Sequence, residues 1–189
     1  MTPERLSHGR RNMLQRWDDE RFLHEGDGFH SGKATGIPEA EGMAPPEFSL
    51  YDHQTTLPLD LSRLTEVAVS AWPLVMCSPG PEVPVLPGLM EVEVSFITDE
   101  AIAKVHAEFL EDPTPTDVIT FAHGEILIST ETAIRQAADH GQAPEREVAL
   151  YLIHGMLHLN GHEDESETGF ATMKQLQERV LDQVWPMDC

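Results

Sequence analysis

His154 and His158 stand four residues apart in the run HGMLHLNGHED, which spans residues 154–164. Residues four apart on a helix share a face and lie about 6 Å apart along its axis, so two imidazoles at this spacing can converge on one cation. Gly161 can reverse the chain just beyond, and residues 162–164 can return a third side chain, Asp164 or alternatively His162, to the same point. Three protein ligands with an open fourth position are the arrangement of a catalytic zinc, which lowers the pKa of its bound water to about 7. A lone histidine on an apolar face is more often a hydrogen-bonded core residue. Here the second histidine, the turn glycine and the acids beyond favour metal. Without an ion, a buried pair leaves ring nitrogens to satisfy inside an apolar helix.

Metallopeptidases of the His-Glu-x-x-His type carry a glutamate base directly after the first histidine. That position is Gly155, which takes no proton. Asp117 and Glu163 are the acids that could support the bound water instead, and Asp117 could equally cap the turn after Pro113 and Pro115.

These side chains need a helix to carry them. From Pro144, with Glu145 and Glu147 in the first turn, to Asn160 the chain is apolar almost all round, which predicts a buried helix. Upstream, Phe48–Tyr51 reads as a strand. Leu61, Leu64, Ala68, Ala71 and Trp72 mark an amphipathic helix capped by Asp60, ending at Trp72-Pro73 before a loop over 73–90. Glu91–Ile97 alternates Val92, Val94 and Phe96 inward as a strand, and Thr98 caps a helix that runs to about Leu110. Asp117–Phe121 and Glu125–Ser129 form a hairpin about His123-Gly124, and a helix follows over about Thr130–Asp139. A last helix from Ser166 to about Val184 shows Phe170, Met173, Leu176, Val180, Leu181 and Val184 on one face. The expected fold class is α+β: a small mixed sheet packed against several helices, with a central buried metal-binding helix as in metalloproteases.

Charge bears on partners. Twelve Lys and Arg against 33 Asp and Glu in 189 residues give a formal net charge of −21. Residues 1–47 hold six basic and nine acidic residues, and residues 48–189 hold six and 24. The first segment lacks a sustained period and reads as a mobile or loosely docked extension with a short helix around Arg10–Phe22; residues 48–189 read as the metallohydrolase domain. Such acidity excludes a general nucleic-acid coating protein. Lys104, Arg135 and Arg146 could form a local basic face. No apolar run is long enough to span a bilayer, and the first thirty residues carry no secretory h-region. Cys77 and Cys189 cannot build a disulfide framework, so the expected location is a reducing cytoplasm, away from membranes.

The run HGMLHLNGHED resembles the signature of the YbeY family, bacterial zinc-dependent endoribonucleases also described as rRNA maturation factors. The likeness extends to Pro115–Phe121 (PTDVITF) and Gly124–Ser129 (GEILIS), in the same order and spacing from about Glu91 onward. The resemblance implies one zinc ion held by His154, His158 and Asp164, where most members have a third histidine in place of Asp164. It implies cleavage of single-stranded RNA in ribosomal RNA processing, at the 3′ end of small-subunit 16S rRNA, and in ribosome quality control. The ribosome or a ribosome-associated protein would be the partner. The family's usual Tyr-Arg pair falls on Phe109 and Leu110, and leucine offers no fork to a phosphate. A zinc metallopeptidase is the alternative activity, and a module in which zinc only staples the helix to its loop is a non-catalytic one; in the latter His162 would close the site.

Overall fold

The structure is a computed structural model and describes residues 44–186; the expected helix around Arg10–Phe22 lies outside them, as do nearly all of the 1–47 segment and Cys189. The order is β1 (Glu47–Asp52), α1 (Leu61–Met76), β2 (Glu91–Ile97), α2 (Asp99–Leu110), β3 (Val118–Phe121), β4 (Glu125–Ser129), α3 (Thr130–His140), α4 (Pro144–Leu159) and α5 (Glu167–Val184). A four-stranded sheet runs β1-β2-β4-β3. β1 and β4 pair parallel with β2, and β3 closes the edge antiparallel to β4, so the sheet is mixed and the fold is α+β.

Strand alternation sorts the core into two layers. Val92, Val94 and Phe96 of β2 and Ile126 and Ile128 of β4 face the large core with α1, α4 and α5. Ile97, Leu127, Ile119 and Phe121 point the other way and pack beneath α2 with Ile102. β2 is therefore polar on one side only at its start, and both its faces are covered by its end. Side-chain caps start α1, α2, α3 and α5 at Asp60, Thr98, Ser129 and Ser166. Asp99 ties α2 to α3, accepting from Ser129 Oγ at 2.5 Å, Thr132 Oγ1 at 2.8 Å and Arg135 Nη1 at 2.5 Å. Burial pushes the Asp99 carboxyl up; these hydrogen bonds and the Arg135 charge more than reverse that and hold it below its usual range.

Two expectations need correction. The first helix does not stop at Trp72-Pro73; Pro73 lies inside α1, which runs to Met76. Proline forfeits one hydrogen bond, to the carbonyl of Val69, but both residues lie on the exposed side, whereas Trp72, Val75 and Met76 are buried. Core burial thus outweighs the missing bond. Phe170 is 57% exposed, and Met173, Leu176, Val180 and Leu181 form the buried face of α5 without it.

Candidate metal centre

α4 is the central element, packed against α3, α5, α1, β3 and β4. From Glu147 to His162 every residue is buried except His154 and His158, which share the one stripe of the helix left partly open. Gly155, one position round, faces the sheet: a Cβ there would fall 2.7 Å from Ile126 Cγ2. The glycine that replaces a peptidase glutamate is thus dictated by packing on β4, with no room for a side chain.

The bend after α4 is built from two segments of backbone. Gly161 has φ +87°, and its carbonyl accepts from Glu82 N at 3.0 Å. Gly80 N donates to the Asn160 carbonyl at 2.9 Å, and Val85 N to that of Leu159 at 2.9 Å. Asn160, itself buried, donates from Nδ2 to Val75 O at 2.8 Å and Ser78 O at 3.1 Å. The proline-rich stretch after α1 is therefore a strap over the glycine bend, a role that its Pro and Gly content did not reveal.

The bend returns Asp164 to the histidine pair. The Nε2 atoms of His154 and His158 lie 2.9 Å apart, and Asp164 Oδ2 and Oδ1 lie 3.8 and 4.0 Å from them respectively. These ligand atoms are all within 4.8 Å of one another. Four ligands about 2.0–2.1 Å from a tetrahedral zinc stand about 3.3–3.4 Å apart, a value these separations bracket. The donor chemistry fits a cation as well. His158 Nδ1 lies 3.0 Å from the His162 carbonyl, which can only accept, so Nδ1 carries the hydrogen. His154 Nδ1 likewise donates to Gln177 Oε1 at 2.8 Å. In the neutral rings both Nε2 lone pairs then face each other, an arrangement that a shared cation relieves. Burial and then the neighbouring His154 push the His158 imidazole down to about 4, which keeps it an unprotonated ligand at neutral pH.

His162, the alternative third ligand, is buried and donates from Nε2 to Ser78 O at 2.7 Å; it is not among the converging atoms. Glu163 turns toward the start of α5, where its carboxylate accepts from Ser166 Oγ at 2.6 Å, Ser166 N at 2.9 Å and Glu165 N at 2.7 Å. These bonds, those from Ser166 foremost, hold its carboxyl below the usual range. Asp117 is half-buried at the entry to β3, and its Oδ1 accepts from Val118 N at 3.0 Å and Thr116 Oγ1 at 2.9 Å. Its charge is felt at both His158 and Tyr151 on α4. Gln177 was not anticipated; the signal for it was a polar residue on the otherwise apolar face of the last helix.

Each of the three residues that could form a local basic face has an acidic partner. Lys104 pairs with Glu100, Arg135 with Asp99 and Arg146 with Asp182. Phe109 and Leu110 pack toward the layer under α2, with Phe109 edge-on to Phe121 at 5.2 Å.

The family described as Endoribonuclease YbeY matches residues 75–185. The Endoribonuclease YbeY of Protochlamydia amoebophila is 38% identical over 102 residues, covering 48% of this chain and 68% of that protein. The Endoribonuclease YbeY of Myxococcus xanthus is 27% identical over 201 residues, covering 94% of this chain and 65% of that protein. The solution structure of TM1509 from Thermotoga maritima shares the fold, with a TM-score of 0.51 at 21% identity over 73% of this chain and 89% of that one.

Proposed function

The chain belongs to the endoribonuclease YbeY family, and from that premise we propose that it is a metal-dependent endoribonuclease specific for single-stranded RNA. It acts in ribosomal RNA processing, at the 3′ end of small-subunit 16S rRNA, and in ribosome quality control, in the cytoplasm and with the ribosome or a ribosome-bound protein as partner. Among the described residues no helix is long and apolar enough to cross a membrane.

His154, His158 and Asp164 would hold one zinc ion, and the observation that carries this reading is the convergence of their ligand atoms with both Nδ1 atoms already engaged. A bound ion supplies a Lewis acid that polarises a phosphodiester oxygen and acidifies water. Asp117 is the carboxylate suited to take the proton from the attacking oxygen, because its charge is felt at His158. Glu163, held at a low pKa by the α5 cap, is a weak base; its part is to pin the loop that carries Asp164. A peptidase reading gains nothing from the site, since position 155 packs on Ile126 and cannot carry the base.

Metal analysis of wild type, His154→Ala and Asp164→Ala, each assayed on single-stranded ribosomal RNA, tests the proposal. Metal and cleavage are expected to vanish together in His154→Ala and to fall together in Asp164→Ala. Full metal content in both variants, or zinc-dependent cleavage of unstructured peptides with none of RNA, overturns it.

A further inference from the structure

The buried face of α5 is made by Met173, Leu176, Val180 and Leu181. Gln177 lies within that face, three or four residues from Met173, Val180 and Leu181, and is half-buried. Leucine there would continue the apolar stripe, so packing does not call for an amide. Its Oε1 instead accepts from His154 Nδ1 at 2.8 Å. An imidazole presents to a cation whichever nitrogen lacks the hydrogen, and the partner of the other nitrogen decides which one that is. For His158 the partner is the His162 main-chain carbonyl, which no side-chain substitution removes. For His154 it is one side chain from a separate helix.

We propose that Gln177 is a positioning residue of the metal centre, holding His154 as the Nδ1–H tautomer with Nε2 turned toward His158 and Asp164, so that the docking of α5 sets metal affinity. This rests on the reading that His154, His158 and Asp164 bind a divalent ion. Gln177 touches neither the ion nor the substrate; it acts through the ring it orients.

The test titrates zinc into the full chain against a competing chelator for wild type, Gln177→Leu, Gln177→Glu and, as reference, His154→Ala. Thermal unfolding of each metal-free protein is measured in parallel. Gln177→Leu is expected to keep or raise the metal-free melting temperature while zinc affinity drops by about 10–100-fold. Gln177→Glu, whose carboxylate still accepts from Nδ1, is expected to bind at least as tightly as wild type. Nitrogen NMR of the metal-free imidazoles should show His154 moving away from the Nδ1–H form in Gln177→Leu alone. Gln177→Met, unbranched and without a strong acceptor, repeats the titration should the leucine variant fold poorly. Affinity within twofold of wild type in Gln177→Leu and Gln177→Met overturns the inference if His154→Ala has lost zinc, as does equal loss in the leucine and glutamate variants. Should His154→Ala bind zinc like wild type, the metal reading itself fails and the inference falls with it.

Discussion

The main chain of Gly80 lies against that of Gly161 so closely that a Cβ added at residue 80 would sit 2.0 Å from the Gly161 carbonyl oxygen. The bend that brings Asp164 to the histidines is therefore moulded by a segment some eighty residues earlier in the chain. Gly80→Ala must push the strap away from the bend, straining the bonds from Gly80 N and Glu82 N. We expect a loss of about 1–3 kcal/mol in stability, typical of overpacking a tight contact. Zinc affinity should fall with it because Asp164 is displaced. Thermal unfolding and chelator competition measure the two; an unchanged affinity would show that the strap does not position the ligand.

The pH dependence of the metal-free protein follows from His158. Its folded-state value is pushed down to about 4 from 6.5, by burial first and by His154 next. The unfolded chain then takes up this proton first as pH falls, so the folded form loses ground. This contribution to stability is fully present above about pH 6.5 and drains away between there and about pH 4. Denaturant unfolding in the presence of chelator from pH 7.5 to 4.5 should show a decline that is shallower in His158→Ala. Parallel curves for the two proteins would contradict the assignment.

Asp117 and Glu163 should separate in kinetics. Asp117→Asn is expected to lower kcat by about 10²–10⁴-fold, the usual worth of a general base, with zinc content unchanged and little effect on KM. Glu163→Gln weakens the cap of α5 and should show instead as a lower melting temperature and a modest loss of zinc, with a much smaller change in kcat. Single-turnover cleavage with metal analysis resolves the two. A kcat loss in Glu163→Gln as large as in Asp117→Asn would reassign the base.

Where one residue's type decided local structure, the sequence was legible. Asp60 and Thr98 cap helices as expected, β2 spans Glu91–Ile97, and the buried helix runs from Pro144 to Leu159. Legibility failed where tertiary contact overrules a local rule. Pro73 is carried inside α1 because Val75 and Met76 have a core to enter, and Phe170 follows the apolar period of α5 but passes beyond its neighbours. In the candidate site, the His154 and His158 spacing is local and could be read directly. Gln177, Asn160 and the strap at Gly80 act across long stretches of chain, and no pattern within one element marks a partner on another.

Electrostatics make the last expectation quantitative. Residues 48–189 carry 24 acids and six bases, and three of those bases are in ion pairs. Arg63 lies over the Trp185 ring at 3.5 Å, and Arg179 donates to Ser78 Oγ at 3.3 Å. Among the described residues this leaves Arg63, Lys174 and Arg179 without an acidic partner, Lys174 standing on α5 one turn before Gln177. With Leu110 in place of an arginine, about three phosphates at most can be neutralised, so the slope of log K against log salt for single-stranded RNA should be no steeper than about −2.1. Binding of naked RNA should be micromolar or weaker, within the range of about 10⁻⁴–10⁻⁶ M seen for unspecific contacts. Lys174→Ala should flatten the slope further. Fluorescence anisotropy with the cleavage-deficient His154→Ala protein measures all three quantities. Nanomolar affinity for free RNA, or a slope near −4, would mean that residues outside 44–186 supply a basic surface and that the ribosome need not help to hold the substrate.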